Sequence, residues 1–208
     1  MFHYDSSVKR RTMVAVSLII GALAGVLAIV TPFGIETRRQ AEQFLRDAER
    51  LEIGRSTFSD VEILAHKYGG KIYPGDQECS PEKCRFHFEF ENYWLHKIGL
   101  APRTRLFAEV TVSAGRVASR TTSFELGTGP AFYSVDVLEW PKQPTDEHYR
   151  VSLQRSGNIR WRAHIRLTPE ATPEQRDRAY RFNLDCLSRF FGCTDSADLL
   201  PSVWQDGS

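Results

Sequence analysis

Neither sign of charge dominates this chain of 208 residues: 27 lysines and arginines face 26 aspartates and glutamates, a formal charge of +1 at pH 7. Long-range attraction of nucleic acid therefore has no electrostatic source. A shortage of apolar residues is also lacking; at 41% hydrophobic the chain falls outside the disordered and low-complexity classes. A mean hydropathy of -0.37 argues against several membrane spans. The familiar catalytic strings are missing, with no HExxH, GxSxG, P-loop, GxGxxG or EF-hand loop, so local sequence specifies no reaction. The six histidines, His3, His66, His87, His96, His148 and His164, never fall three or four residues apart, which removes a helical metal pair. No metal or cofactor is expected. His87 and His164 lie on the polar faces of expected strands and would meet only if those strands paired.

Charge is absent altogether from Thr12 to Ile35, and Met13 to Val30 reads MVAVSLIIGALAGVLAIV. As a helix the uncharged stretch reaches roughly 36 Å, enough to cross a hydrocarbon core of about 30 Å. Lipid offers no partners to the backbone, so the segment is expected to be helical, with Pro32 and Gly34 ending it. Lys9, Arg10 and Arg11 precede it, while Arg38, Arg39, Arg46 and Arg50 follow it among Glu36, Glu42, Asp47 and Glu49. The second group opens a long domain, and long domains translocate largely regardless of charge. The division expected is a cytoplasmic tail over 1–11, an anchor over 12–35 and an exported domain over 36–208. The rival reading is a cleaved signal peptide ending near Val26-Leu27-Ala28, which the length of the apolar run disfavours. No cysteine near Ala28 offers a lipidation site. Gly21 and Gly25, with Ser17 four residues earlier, read either as a homodimer face or as ordinary span composition.

Cysteine is scarce, and its four residues fall in two local pairs, Cys79 with Cys84 and Cys186 with Cys193. In an oxidising compartment these read as two short-loop disulfides. Zinc and free thiols are the competing uses; the spacing from Cys186 to Cys193 exceeds that of a zinc knuckle. The disulfide reading and the orientation reading place the domain on the same side of the membrane.

Residues 36–51 carry Ala41, Phe44, Leu45, Ala48 and Leu51 on one stripe, predicting an amphipathic helix that either runs on from the span or bends at Pro32, and that either forms a juxtamembrane stalk or packs on its own domain. Thr57 caps a second helix with Val61, Leu64, Ala65 and Tyr68 inward, and Gly69-Gly70 stop it. From Cys84 the period falls to two, with Phe86, Phe88 and Phe90 alternating against Arg85, His87 and Glu89. Leu106–Val112 and Val117–Phe124 form a hairpin about Ser113-Ala114-Gly115. Tyr133–Glu139 adds a strand before a connection containing Pro141 and Pro144. Tyr149–Arg155 and Ile159–Leu167 form a second hairpin about Ser156-Gly157-Asn158. Thr172-Pro173-Glu174-Gln175 starts a helix expected to carry Ala179, Phe182, Cys186 and Phe190 on one face and to end at Gly192. The fold class is α+β: an N-terminal transmembrane helix, two short helices, an antiparallel sheet of about five to six strands, and a C-terminal helix packed on one face.

The most distinctive surface is the last strand, where Arg160, Arg162, His164 and Arg166 alternate with apolar residues. Arg160, Arg162 and Arg166 are the candidate anion-binding set, since arginine forks suit phosphate and carboxylate; the alternative is a solvated, locally ion-paired strand. Arginine outnumbers lysine 21 to 6, which points to compositional bias. Tyr93-Trp94-Leu95 and Leu199-Leu200-Pro201 fall in expected loops, where they are candidates for partner or membrane contact. No catalytic residue is assigned.

Gly54, Ser56 and Thr57, the pair Cys79 and Cys84, the hairpin sheet and the closing Cys186-Leu187 to Gly192-Cys193 together resemble a family of uncharacterised bacterial single-pass envelope proteins, for which no activity is implied. More remotely, Gly54 to Val61 followed by strands is similar to the start of small outer-membrane assembly lipoproteins, although the lipid-bearing cysteine is missing. The expected protein is an inner-membrane, single-pass envelope protein with a periplasmic domain that binds an unknown envelope protein or component and contacts the bilayer through 12–35. Alternatives are an envelope enzyme with an unrecognised site and an anion or lipid-head-group module built on Arg160 to Arg166.

Overall fold

The computed structural model describes residues 6–73, 79–127, 132–141 and 147–205; Pro144 and the first five residues of the expected tail lie outside them. A single helix, α1 (Ser6–Ala48), carries both the apolar run and the amphipathic stripe. The end expected at Pro32 is thus corrected. Proline in a helix interior removes one hydrogen bond and crowds the preceding turn, at a cost of about 3 kcal/mol. Here the helix is held on both sides of that point: Val30 is buried, and a β-carbon on Gly34 would lie 3.2 Å from Ser188 Cα. Thr31 Oγ1 also donates to the Leu27 carbonyl at 2.6 Å. In the apolar part an 18-residue window has a mean hydropathy of 2.7 and is only 6% buried, so this one helix is long and apolar enough to cross a membrane.

Its C-terminal end is core. Ala41, Phe44, Leu45 and Ala48 are buried, and the Phe44 ring lies 4.7 Å from Phe88 and 5.2 Å from Phe90. Helix α2 (Phe58–Tyr68) starts at Thr57, whose N–H donates to Asp60 Oδ2 at 2.7 Å, and stops at left-handed Gly69. Gly70 must lack a side chain, because a β-carbon there would sit 2.5 Å from the Phe88 ring.

Seven strands follow: β1 (Lys71–Ile72), β2 (Lys83–Glu91), β3 (Thr104–Ser113), β4 (Arg116–Leu126), β5 (Tyr133–Glu139), β6 (Tyr149–Ser156) and β7 (Ile159–Leu167). They form one sheet in the order β1-β2-β3-β4-β5-β7-β6. All neighbours are antiparallel except β5 and β7. The expected five to six antiparallel strands therefore become seven with one parallel pair. The connection across 140–148 is too long for a tight hairpin, so β6 takes the edge and β7 slots in beside β5.

Helices on one face of this sheet supply the other half of the main core. Inward residues Phe88, Leu106, Val110, Phe124, Val135 and Ile165 form one continuous core with α1 and α2. The single C-terminal helix is replaced by α4 (Pro173–Tyr180), a 3₁₀ turn (Leu184–Leu187), α5 (Ser196–Leu199) and α6 (Pro201–Trp204). Asn183 interrupts it: its N–H donates to the Leu199 carbonyl at 2.8 Å and its side-chain amide to the Asp198 carbonyl at 3.0 Å. Pairing with the tail replaces the intrahelical bonds that continuation would have made.

Two cysteine pairs close short loops, Cys79–Cys84 with Cα atoms 4.6 Å apart and Cys186–Cys193 at 5.4 Å, both within disulfide geometry.

Candidate functional site: the helix-free sheet face

Side chains alternate across a sheet, so the register determines which ones meet on the face away from the helices. One row runs Glu91, Arg105, Glu125, Ser134, Arg162 and Gln154; the next runs Glu89, Phe107, Ser123, Asp136, His164 and Ser152; a third ends in Leu138, Arg166 and Arg150.

On the β2–β4 half the charges satisfy one another. Arg103 grips Glu91 with two bonds, at 2.9 and 2.8 Å, and Arg105 pairs with Glu125. Glu125 is almost covered, and burial lifts its carboxyl above the usual carboxylate range against the opposing bond from Arg105. Arg85 faces Glu109 at 3.6 Å.

The β5–β7–β6 half is different. Asp136 is the acidic residue there, and it lies 3.3 Å from His164 Nδ1 and 3.9 Å from Arg162 Nε. Arg162 also donates to Ser134 Oγ at 2.9 Å. Of the three arginines singled out from sequence, Arg160 leaves this face: the register shift between Gln154 and Arg155 puts it out of step, and its Nε donates to Asp195 Oδ2, the cap of α5, at 2.8 Å. Arg166 stays, and its cross-strand partner is Arg150. Among the described residues neither forms an ion pair, and Arg166 instead lies over the Trp140 ring at 5.9 Å. Like charges directly opposed on adjacent strands are destabilising unless a counter-charge is supplied. With Leu138, Ser152 and His164 these two arginines line an open depression of about 380 Å³. Arg150 was missed in the sequence because its strand shows no basic ladder; only the register brings it to Arg166.

A second polar cluster lies inside. Arg120 and Glu139 are cross-strand partners on the helix side, both almost wholly buried. Arg120 donates to Glu139 and to the Ala48 carbonyl that ends α1. Arg176 of α4 donates to the other Glu139 oxygen and, at 2.8 Å, to the Thr168 carbonyl. Tyr180 Oη lies 3.4 Å from Glu139, and burial pushes its hydroxyl up to about 12, so it is no proton acceptor near neutrality. A guanidinium at a helix C-terminus also complements the helix dipole. This cluster ties α1, the sheet and α4 together.

His87 and His164 sit on β2 and β7, separated by three strands, which removes the expectation that they could meet. Among the described residues no group of three or more His, Cys, Asp or Glu could hold a metal. The expected loop at Tyr93-Trp94-Leu95 is a short helix, α3 (Tyr93–Lys97), in which Leu95 is buried. Leu199 and Leu200 are fully buried and cannot meet a partner. Gly21 and Gly25 have no side chain within 4 Å of a notional β-carbon.

The described residues thus form an α+β domain on one long helix whose N-terminal half is apolar, and they leave one sheet face without a covering helix. Comparison with protein-family models, curated proteins and solved structures gives no match.

Proposed function

We propose that this is a single-pass bacterial envelope protein, akin to the uncharacterised family it resembles. Residues 1–11 lie in the cytoplasm, 12–35 cross the inner membrane and 36–208 lie on the oxidising side. The exported domain works by binding an envelope protein or component, and the contact is made by the helix-free sheet face. The observation that carries this reading is the face itself: two opposed arginines, without an ion-pair partner among the described residues, sit on a sheet whose core helices pack against the other side. A homodimer through Gly21 and Gly25 belongs to the same proposal, the two glycines forming an open face of the span.

Photo-crosslinking in intact membranes tests it. A crosslinking residue at Gln154 or Thr111, both on the open face, gives discrete adducts, whereas one at exposed Glu62 on α2 gives none. Adducts from Glu62 alone would overturn the assignment of the face.

A second reading, an anion-binding module, is favoured by the basic surplus around Arg150 and Arg166. The set differs from the one legible in sequence, since Arg160 is held by Asp195 and Arg162 by Ser134. Retention of the full chain on immobilised polyphosphate should fall steeply with salt. It should be lost in Arg150→Gln/Arg166→Gln and kept in Arg160→Gln; loss in Arg160→Gln alone would contradict this reading.

A further inference from the structure

The place where α1 leaves the apolar run is ringed by side chains that water does not suit. Val30 is buried against Leu95 and Ala101, with Leu100 and Phe190 packed around them. Outside this small cluster stand Phe33, Tyr93, Trp94, Ile98 and Phe191, each at least 40% exposed. The Phe33 and Trp94 rings lie 6.0 Å apart, and Trp94 meets Tyr93 at 5.3 Å, so the exposed rings touch one another. Phe191 is the most exposed, at 83%. It is held in the left-handed region at φ +65°, an unfavourable conformation for a bulky residue. The fold maintains that geometry: the Phe191 N–H donates to the Leu100 carbonyl at 2.8 Å, and the loop bearing it is closed by Cys186–Cys193. Phe190 of the same loop points into the cluster while Phe191 points out.

Position says what covers this patch. From Thr12, the first residue past the basic tail, to Val30 is roughly 28 Å of helix, close to the thickness of the hydrocarbon layer. The patch is continuous with the span, and it begins where the span must emerge. Its composition, two phenylalanines, a tyrosine and a tryptophan with Lys97 and Arg189 beside them, is that of the interfacial belt of membrane proteins.

We propose that Phe33, Tyr93, Trp94, Ile98 and Phe191 form a collar that seats the exported domain in the outer headgroup layer of the bilayer that α1 crosses. The proposal rests on α1 being a membrane span. The domain does not swing on a tether; α3 and the disulfide loop lie on the lipid.

Fluorescence of the full chain in phospholipid vesicles tests this. The contribution of Trp94 is the difference between the wild type and Trp94→Phe, and Phe191→Trp adds a reporter at a site whose packing is not disturbed. Lipids brominated near the glycerol end of their chains should quench both contributions, and aqueous iodide should leave them unchanged. Iodide quenching without bromolipid quenching overturns the collar. Protection from iodide without bromolipid quenching also overturns it, because protein rather than lipid then covers the rings. An alkaline carbonate wash of the same vesicles separates the two claims: a chain that washes off fails as a span, and one that stays while its rings remain in water fails only as a collar.

Discussion

Glu139 shows how a single carboxylate can hold three elements. Its side chain is 3% exposed and receives guanidinium groups from Arg120 of β4 and Arg176 of α4, while Arg120 also grips the end of α1. Removing one partner of a buried ion pair strands the remaining charge and costs about 3–5 kcal/mol, more than the pair itself contributes. Glu139→Gln should therefore lower unfolding stability by about that amount in urea, with Arg120→Met/Glu139→Leu recovering much of it. A loss below about 1 kcal/mol would contradict the clasp. Asp198 holds the tail in a similar way. Burial acts to raise its pKa, but bonds from Thr194 Oγ1 and N–H, both at 2.6 Å, and from the Asp195 N–H outweigh burial, leaving it below the usual carboxylate range. A group with a depressed folded pKa stabilises above its unfolded value and loses that contribution as pH falls. Amide exchange in 194–204 should thus accelerate below about pH 4, and Asp198→Asn should remove that acid step.

The elements legible in the sequence were those whose signal is local. Thr57 and Thr172 cap the helices they were expected to cap, Tyr133–Glu139 is a strand to the residue, and Phe86, Phe88 and Phe90 all point inward. What escaped depends on contacts distant in sequence. Pro32 stops an isolated helix, but Val30 and Gly34 are gripped by α3 and the 188–192 segment. The closing helix breaks because Asn183 pairs with the tail. β7 lies beside β5 rather than after β6, and no periodicity reports strand order. The candidate site was half legible for the same reason: Arg166 was visible on its strand, whereas Arg150 required the register. Phe44 is fully buried against the rings of Tyr68, Phe88 and Phe90, so Phe44→Ala should cost about 3–5 kcal/mol, measured by urea unfolding, and should loosen α1 from the sheet. Replacing Cys186 and Cys193 by serine should lower stability by about 2.5 kcal/mol through loop closure, read from the shift of the urea midpoint; no change would mean that the tail holds itself.

At the scale of the molecule, α1 is both the helix apolar enough to cross a membrane and a core helix of the domain, so on the proposed reading packing, not a linker, sets the domain's orientation relative to the bilayer. The core, the clasp at Ala48 and the disulfide loop all act on this one helix. Among the described residues they leave one sheet face without a covering helix, with Arg150 and Arg166 opposed at one edge, and the proposed binding role is assigned to that face. All of this requires the apolar half of α1 to lie in lipid and the cysteines to meet an oxidising solvent. The direct measurement is to block free thiols in intact bacterial cells, isolate membranes by alkaline carbonate, and count the cysteines that become alkylated only after reduction. The expected result is a carbonate-resistant chain in which all four cysteines escape the block and react only once reductant is added. A soluble chain with its thiols already alkylated would contradict it.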